Sequence, residues 1–373
     1  MKILLVGAGG YASGYVSELL KNTDPSISLE GIVEPYFSSC PKKEEIEKAN
    51  VPVYATMEEF YADHSADLAL ICTPTFLHCS QSIYALSRGS SVLCEKPVSP
   101  TASEGEKMLA AEKEYGRFIA IGYQWSFSDA ILELKKDVLD GLLGAPISFK
   151  TAISWPRNLA YYSRGMGWAG RISKDGITIL DSIASNACAH YLHNMLFLLG
   201  DTMQRSGEVA ALRADCLRAN DIESFDTCAL KMTADKGTRL YFIASHAANR
   251  NRDPEFVYTF ENATVTFSQS EGSCITAKFC DGRVKSYGDP FRHQMKKIWD
   301  CVHALETGVS PICTVQTALP HVRLIERLHN EAPVLDFPKD EIRFDQERKA
   351  FYVEGLFDKM YKAYENELLL SEL

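Results

Sequence analysis

The chain has 373 residues, 46% of them hydrophobic, so its length predicts two domains, and its net charge of −10 argues against nucleic acid or an anionic membrane as a partner. The eleven cysteines include no C-x-x-C pair, and the N-terminal apolar run is too short for a signal peptide. We therefore expect a reduced, cytoplasmic protein without a membrane span, a disulfide framework or a metal site.

The first third of the chain alternates predicted strands with predicted helices. Apolar runs at residues 2–6 and 28–34 flank a helical pattern at 11–20, which is the length of a βαβ unit. Further strands are predicted at 68–72, 91–94 and 118–121, and further helices at 76–87 and 102–115. This alternation predicts a Rossmann domain over residues 1–123, with a doubly wound parallel sheet.

From residue 124 the pattern changes to that of an α+β domain reaching residue 373. We predict helices at 130–139, 187–199, 291–306, 315–330 and 348–369, and strands at 147–155, 209–217, 225–232, 239–245, 256–260, 263–267 and 275–279. The close spacing of these strands predicts a large, mostly antiparallel open sheet. Because one face of that sheet needs cover, we expect a homodimer or homotetramer to form through it, and the final helix to pack back on the first domain.

A glycine-rich loop follows the first predicted strand. The segment Gly7-Ala8-Gly9-Gly10-Tyr11-Ala12 matches G-x-G-x-x-G/A and opens the first helix. Gly7 permits the tight turn, Gly9 lets backbone N–H groups approach a pyrophosphate, and Ala12 allows close packing of helix on strand. We expect the loop, including Gly10 and Tyr11, to bind a dinucleotide.

An acidic residue ends the second predicted strand, 22 residues beyond Ala12. Glu34 can accept hydrogen bonds from a ribose 2′-hydroxyl and would repel a 2′-phosphate. The alternative is a solvated carboxylate at the end of a strand. The position of Glu34 favours NAD over NADP as the cofactor.

Three further segments carry a resemblance to a known family. They are Ile71-Cys72-Thr73-Pro74 with His78 shortly after, Cys94-Glu95-Lys96-Pro97, and Gly122-Tyr123-Gln124-Trp125. With the glycine loop, they resemble the Gfo/Idh/MocA family (glucose–fructose oxidoreductase, inositol dehydrogenase and MocA). The Glu-Lys-Pro segment at this place in the chain is the most specific element.

The resemblance implies contacts with the cofactor and a residue at the reacting carbon. It implies that the Thr-Pro turn lines the nicotinamide side, that Lys96 reaches the reacting carbon and that the Lys96–Pro97 bond is cis. The expected cofactor contacts outside the loop are Glu34, Thr73, Pro74, His78, Glu95, Lys96 and Gln124. Lys96 also lies at the carboxyl end of a predicted parallel strand, where it can stabilise a developing alkoxide, although most Glu-Lys pairs are surface ion pairs.

The predicted helix at 187–199 carries an uncharged polar stripe. Asn186, His190 and Asn194 recur every four residues, and His193 shares their face. Since solvent faces favour Lys and Glu, which are absent here, we expect a buried helix whose stripe lines a wet pocket. The family has an Asp, a His four residues later and an Asp three beyond that. His190 matches the histidine, while Asn186 and His193 stand where the aspartates would be.

Substrate contacts are expected from the loop that follows the strand at 147–155. Its aromatic rings and guanidinium groups suit a hydroxylated or carboxylated small molecule, although the same residues could simply pack the loop on the sheet. The expected substrate residues are Tyr123, Trp155, Arg157, Tyr162, Arg164, Trp168, His193 and Asn194.

Together these residues predict an NAD-dependent oxidoreductase that acts on the CH–OH group of a sugar, cyclitol or related polyol. His190, with Asn186 beside it, would exchange the proton, and Lys96 would polarise the oxygen. Two alternatives stay open: a lyase or glycosidase that retains NAD through each cycle, and a non-catalytic regulatory protein that senses NAD or a sugar. The presence of both Lys96 and His190 argues against the sensor.

Overall fold

The computed structural model describes residues 1–164 and 167–373 in two compact units. The first unit comprises Met1–Phe127 and His293–Gln316, and the second comprises Ser128–Arg292 and Thr317–Leu373. The first unit thus ends close to the expected boundary, but it also takes in a segment from far down the chain. No helix in the described part of the chain is long and apolar enough to cross a membrane.

The first unit is built on a six-stranded parallel sheet with the order β3-β2-β1-β4-β5-β6. Its strands are β1 (Lys2–Val6), β2 (Ser28–Val33), β3 (Val53–Tyr54), β4 (Leu68–Ile71), β5 (Ser91–Cys94) and β6 (Ile119–Ile121). Its helices are α1 (Ala12–Lys21), α2 (Lys43–Lys48), α3 (Met57–Asp63), α4 (His78–Ser87), α5 (Ala102–Tyr115) and, later in the chain, α9 (Lys296–Thr307). The strand order reverses between β1 and β4, which is the point where such sheets bind ligands.

The late segment of the first unit is held by specific contacts. Trp299 on α9 donates its indole N–H to Glu18 on α1 at 2.7 Å. The backbone N–H of Ile121 donates to the carbonyl of Cys313 at 2.8 Å, so the late segment also extends the sheet beside β6. The first domain is therefore completed by residues that follow most of the second domain in sequence.

The second unit is built on a nine-stranded mixed sheet with the order β16-β15-β14-β13-β7-β12-β11-β10-β17. Its strands are β7 (Pro146–Ser154), β10 (Val209–Arg218), β11 (Thr227–Ala234), β12 (Arg239–Ser245), β13 (Arg252–Phe260), β14 (Ala263–Ser268), β15 (Ile275–Phe279), β16 (Val284–Gly288) and β17 (Val334–Asp336). Two short hairpins lie outside this sheet: β8 (Ser173–Lys174) with β9 (Ile177–Thr178), and β18 (Ile342–Asp345) with β19 (Ala350–Val353). Its helices are α6 (Asp129–Leu139), α7 (Leu159–Ser163), α8 (Ala189–Leu198), α10 (Val315–Glu331) and α11 (Leu356–Asn366). The sheet is mostly antiparallel as predicted, with parallel pairing only of β7 with β12 and of β10 with β17.

Both faces of the nine-stranded sheet are covered around β7. On one face, Thr151 lies 3.4 Å from the Tyr258 hydroxyl, which accepts a hydrogen bond from Asn194 of α8 at 3.5 Å. The next residue along β7, Ala152, points to the opposite face and packs in a buried cluster with Met360 and Ala363 of α11. The central strands therefore lie between α8 and α11.

This arrangement corrects one expectation about the C-terminal segment. The predicted helix at 348–369 is shorter, because Ala350–Val353 forms a strand and α11 begins at Leu356. The final helix packs on β7 and β12 of the second unit, and its packing on the first domain stays a prediction. The segment covers part of the sheet face that we expected to need a second subunit. Assembly as a homodimer or homotetramer through the sheet stays a prediction.

Candidate functional site

The glycine-rich loop has the geometry of a phosphate cradle. Gly7 adopts φ +87°, and a Cβ there would lie 3.0 Å from the Cys72 carbonyl oxygen, so only glycine fits between the ends of β1 and β4. At Gly9 and Gly10 no protein atom lies within 4 Å of the Cβ position. The loop leaves open space at the start of α1, where backbone N–H groups favour an anion. These residues fit the pyrophosphate of a dinucleotide.

Glu34 is fixed beside this loop. One carboxylate oxygen accepts a hydrogen bond from the Ala8 backbone N–H at 2.9 Å, and the other accepts from the Tyr36 N–H at 3.0 Å. The side chain is therefore held at the end of β2, next to the glycine turn. The location is the one expected for a carboxylate that recognises ribose hydroxyls.

Lys96 lies in a turn at the carboxyl end of β5, and its bond to Pro97 is cis as expected. The His78 ring braces this turn against the neighbouring one, with Nδ1 2.8 Å from the Pro97 carbonyl oxygen and Nε2 2.8 Å from that of Thr73. Only 1% of His78 is exposed, and burial lowers its pKa. We expected His78 to contact the cofactor, but each ring nitrogen faces a backbone carbonyl, and the neutral ring donates its one N–H to one of them. His78 therefore lies between the Thr73-Pro74 turn and the Lys96 turn.

A buried ion pair lies directly behind Lys96. The Lys297 ammonium, on α9, contacts the Glu95 carboxylate, and both side chains are buried. The Tyr15 hydroxyl donates to the same carboxylate at 2.5 Å, and the Lys96 backbone N–H donates to its other oxygen at 3.1 Å. A Cβ at Gly122 would lie 2.7 Å from Glu95, so the carboxylate is enclosed on that side as well. We expected Glu95 to bind the cofactor, but its carboxylate is committed to these internal partners.

The pair keeps its charges in spite of burial. Burial raises the pKa of Glu95, but the attraction and hydrogen bond of Lys297 outweigh it, and the net pKa lies below the usual value. Burial lowers the pKa of Lys297, but Glu95 outweighs it and the net pKa is raised. Burial, with Glu95 nearby, raises the pKa of Tyr15 well above its usual value. At neutral pH the cluster is thus a carboxylate, an ammonium and a protonated phenol.

The same ammonium also reaches the glycine-rich loop. Lys297 lies 4.8 Å from the ring centre of Tyr11 and donates to its hydroxyl at 3.3 Å. The Tyr11 hydroxyl in turn donates to Gln124 at 2.8 Å. Lys297 therefore connects the nucleotide loop to the Lys96 turn. Tyr123, which we expected to contact substrate, is fully buried.

In the second unit, a tight turn precedes the helix that carries His190. The Ser182 hydroxyl accepts from the Ser185 N–H at 3.1 Å, and the Ser185 hydroxyl accepts from the Ser182 N–H at 2.8 Å. This turn places Asn186 before α8, not on it, so the expected four-residue stripe is wrong at its first position. Asn186 donates its amide to Asp181 at 2.9 Å. Asp181 thus places a carboxylate beside Asn186, and it also accepts a hydrogen bond from the Gly170 N–H at 2.6 Å.

The rest of α8 is buried as expected, and His190 is the one residue of the helix with intermediate exposure. His193 is 1% exposed and stacks on Phe197, and its pKa is held well below the usual value by burial, with His321 and Lys135 adding to the effect. Asn194 is also 1% exposed and binds the Tyr258 hydroxyl. The expectation that His193 and Asn194 contact substrate is not supported by these positions.

The loop after β7 brings its aromatic and basic residues together. Trp155 donates its indole N–H to Asp253 at 3.2 Å. Arg157 lies 5.6 Å from the Trp155 ring centre, and Arg164 lies 5.1 Å from that of Trp168. Tyr162, the remaining expected substrate residue of this loop, is half-buried beside them. Arg157 and Arg164 thus make cation–π contacts with the aromatic rings of this loop.

Residues 1–123 match the family model GFO_IDH_MocA, described as an oxidoreductase family with an NAD-binding Rossmann fold. About a third of the chain, residues 1–123, is thus similar to the NAD-binding domain of the Gfo/Idh/MocA oxidoreductase family. An uncharacterized oxidoreductase of Schizosaccharomyces pombe is 27% identical over 153 residues, which are 41% of this chain and 42% of that protein. Inositol 2-dehydrogenase of Renibacterium salmoninarum is 26% identical over 167 residues, 44% of this chain and 50% of that protein.

The likeness to solved structures extends over most of the chain. UDP-N-acetylglucosamine 3-dehydrogenase GnnA of Acidithiobacillus ferrooxidans has a TM-score of 0.72 at 16% identity, covering 89% of this chain and 97% of that chain. At that identity the likeness shows the fold alone. The sequence matches span about two fifths to one half of the length of the curated relatives above.

Three residues that hydrogen-bond predicted site residues were not predicted from the sequence: Tyr15 and Lys297, which bind Glu95, and Asp181, which binds Asn186. Asp181 had a signal, because it is the last charged residue before the long uncharged stretch that holds His190. Tyr15 lies one helical turn beyond Tyr11 and on its face of α1, which is a weaker signal. Lys297 had none, because 202 positions separate it from Glu95.

Proposed function

We propose that the protein is an NAD-dependent oxidoreductase acting on the CH–OH group of a sugar, cyclitol or related polyol. Bound nicotinamide would supply the hydride acceptor or donor. The observation that carries the proposal is that the open glycine loop, Glu34 and Lys96 all follow the carboxyl ends of strands in one parallel sheet. The match of residues 1–123 to the oxidoreductase family model and the printed name of the inositol 2-dehydrogenase relative support the same reaction class.

In this proposal, Lys96 and His190 are the two groups that carry the chemistry. Lys96 hydrogen-bonds the substrate oxygen and stabilises the negative charge that develops there. His190 takes the hydroxyl proton during oxidation and returns it during reduction, which is the usual work of a positioned imidazole. Asn186 and Asp181 are positioning residues in this proposal. Asp181 accepts a hydrogen bond from the Asn186 amide and so fixes that side chain ahead of α8.

The proposal is tested by following the absorbance of reduced nicotinamide while the whole protein is screened with NAD or NADH against polyols and keto-sugars. A change in absorbance that depends on substrate supports net hydride transfer. Consumption of a substrate without such a change would instead identify NAD-retaining lyase or glycosidase chemistry. Binding of NAD or a sugar without turnover of any compound in the screen would indicate a non-catalytic sensor. Either of these results overturns the proposal.

Cofactor preference gives a first quantitative prediction. We propose that Glu34 favours NAD(H), because a 2′-phosphate would lie against its carboxylate. Glu34→Ser is expected to narrow the difference in binding free energy between NADH and NADPH by about 1–3 kcal/mol, the scale of a charged contact. Fluorescence titration of both cofactors measures this. Glu44→Ser, which removes an exposed charge of the same domain, should leave the difference unchanged. Equal or tighter NADPH binding by the unaltered protein would contradict the assignment.

A further inference from the structure

Two arginines of the second domain share one aromatic ring. The guanidinium carbon of Arg164 lies 3.5 Å from the ring centre of Tyr161, and that of Arg157 lies 5.1 Å from the same centre. The His246 ring lies 5.3 Å from Tyr161. With Tyr162, which adjoins Tyr161, we call these residues the arginine cluster. Two cations are thereby held close together.

Several polar atoms of the arginine cluster are buried with their hydrogen-bonding capacity unused. Within residues 1–164 and 167–373, the Arg157 Nε, the Tyr162 hydroxyl and the His246 Nε2 have no hydrogen-bond partner. His246 is only 2% exposed, and its Nδ1 lies 2.8 Å from the Trp155 carbonyl oxygen. Nδ1 therefore carries the proton, and Nε2 is a free acceptor. Buried atoms of this kind cost about 1–3 kcal/mol each unless a ligand satisfies them.

The nearby carboxylates do not use the arginines. Asp181 is bound by the Gly170 N–H and by the Asn186 amide. Asp226 accepts hydrogen bonds from the Asn220 amide and backbone N–H at 2.8 and 3.0 Å, and from Ala219 at 3.0 Å. In the described part of the chain, neither Arg157 nor Arg164 forms an ion pair with a carboxylate. Their positive charges, and the Arg157 Nε–H, therefore remain for an anionic ligand.

We propose that the arginine cluster binds a carboxylate of the substrate, so that the oxidised or reduced polyol is a sugar acid. This inference rests on the function proposed above and names its substrate class. Guanidinium groups bind carboxylates through paired hydrogen bonds. A hydroxyl next to the carboxylate would donate to His246 Nε2. Burial lowers the pKa of His246 to about 3, with Arg157 adding to the effect, so the ring stays neutral and accepts this hydrogen bond. A phosphate bound by the arginines would instead place a second negative charge beside the lone pair of His246 Nε2, which is unfavourable.

The test is calorimetric titration of the whole protein, with NAD present, using D-gluconate, D-glucuronate and D-galacturonate as probes. D-Glucose and myo-inositol serve as neutral counterparts, and D-glucose 6-phosphate serves as the phosphate counterpart. We expect at least one acid to bind about 10-fold or more tightly than any neutral or phosphorylated probe. Arg157→Gln and Arg164→Gln should each remove this advantage by weakening the binding of the acid more than the binding of the neutral probes.

Arg239→Gln is the matched control, because Arg239 is an exposed arginine of the same domain and its loss changes the net charge equally. It should alter acid binding less than about twofold, since exposed charges contribute little. Binding of no acid, equal binding of acids and neutral sugars, or preference for the phosphate would overturn the inference. Tight acid binding without nicotinamide turnover would overturn the proposed function alone. Turnover of neutral polyols with no acid preference would overturn this inference alone.

Discussion

His190→Ala is expected to lower turnover by about 10²–10⁴-fold, the usual contribution of a positioned acid–base group. The affinity for NADH should stay nearly unchanged, because the residues that fit the dinucleotide, from Gly7 to Ala12 and Glu34, lie in the other domain. Steady-state kinetics on the first substrate found in the screen, with cofactor titration in parallel, measures both quantities. Lost turnover with unchanged NADH affinity identifies a catalytic group, because loss of a structural residue would change both quantities.

Lys96→Ala should also abolish most of the turnover, because the charge that stabilises the developing alkoxide is removed. The double variant with His190→Ala should be little worse than the poorer single variant, since groups acting as a unit are not additive. His303→Ala, which removes an exposed histidine from α9, serves as the control and should keep full activity. Full turnover of His190→Ala would remove this histidine from the mechanism.

Lys297→Met is expected to destabilise the protein by about 3–5 kcal/mol, the usual cost of leaving one member of a buried ion pair without its partner. The ammonium is completely buried, pairs with Glu95 and lies over the rings of Tyr11 and Tyr15. Methionine keeps much of the volume but removes the charge. Urea unfolding at pH 7 measures the loss, and Lys296→Met is the control, because its partly exposed pair with Asp300 is worth only a few tenths of a kcal/mol.

The loss of stability caused by Lys297→Met should become smaller as the pH falls. In the natural protein the pKa of Glu95 is lowered, so its contribution to stability is present at neutral pH and disappears as the pH falls. Without Lys297, burial raises the pKa of Glu95, and the variant recovers stability when the carboxyl takes up a proton. The difference between the two proteins should therefore shrink as the pH is lowered toward about 4.3, the usual pKa of Glu. Adding Glu95→Gln to Lys297→Met should restore part of the stability at pH 7. If the loss of stability is independent of pH and is not reduced by Glu95→Gln, the role assigned to the Lys297–Glu95 charge pair is contradicted.

The sequence predicts the first domain well because its signals are local. Strand, glycine turn and helix follow one another within residues 2–21, and each adjacent parallel strand is preceded by its own helix. The spacing from the glycine loop predicts Glu34 at the end of the second strand. Hydrogen bonds from the backbone N–H groups of Ala8 and Tyr36 hold its carboxylate beside the loop. The cis bond before Pro97 was implied by the family resemblance and is present.

The errors arise where tertiary contacts decide the outcome. Asn186 fits a helical stripe by spacing, but the paired Ser182 and Ser185 hydroxyls end the preceding loop in a tight turn, and α8 begins only afterwards. Residues 350–353 have a helix-compatible pattern, yet pairing with β18 makes them a strand. No local pattern could have related Lys297 to Glu95, since that contact joins distant parts of the chain.

The discontinuous first domain has a consequence for protein synthesis. Residues 128–292 are translated between its two parts, which takes about 8–33 s at 5–20 residues per second. During that interval the nascent chain has made Glu95 but not Lys297, and β6 still lacks the segment around Cys313. The first domain therefore reaches its complete set of contacts only after residues 293–316 have been synthesised. A fragment ending at Phe127 contains every residue of the nucleotide loop but lacks the counter-charge of Glu95 and the segment that pairs beside β6.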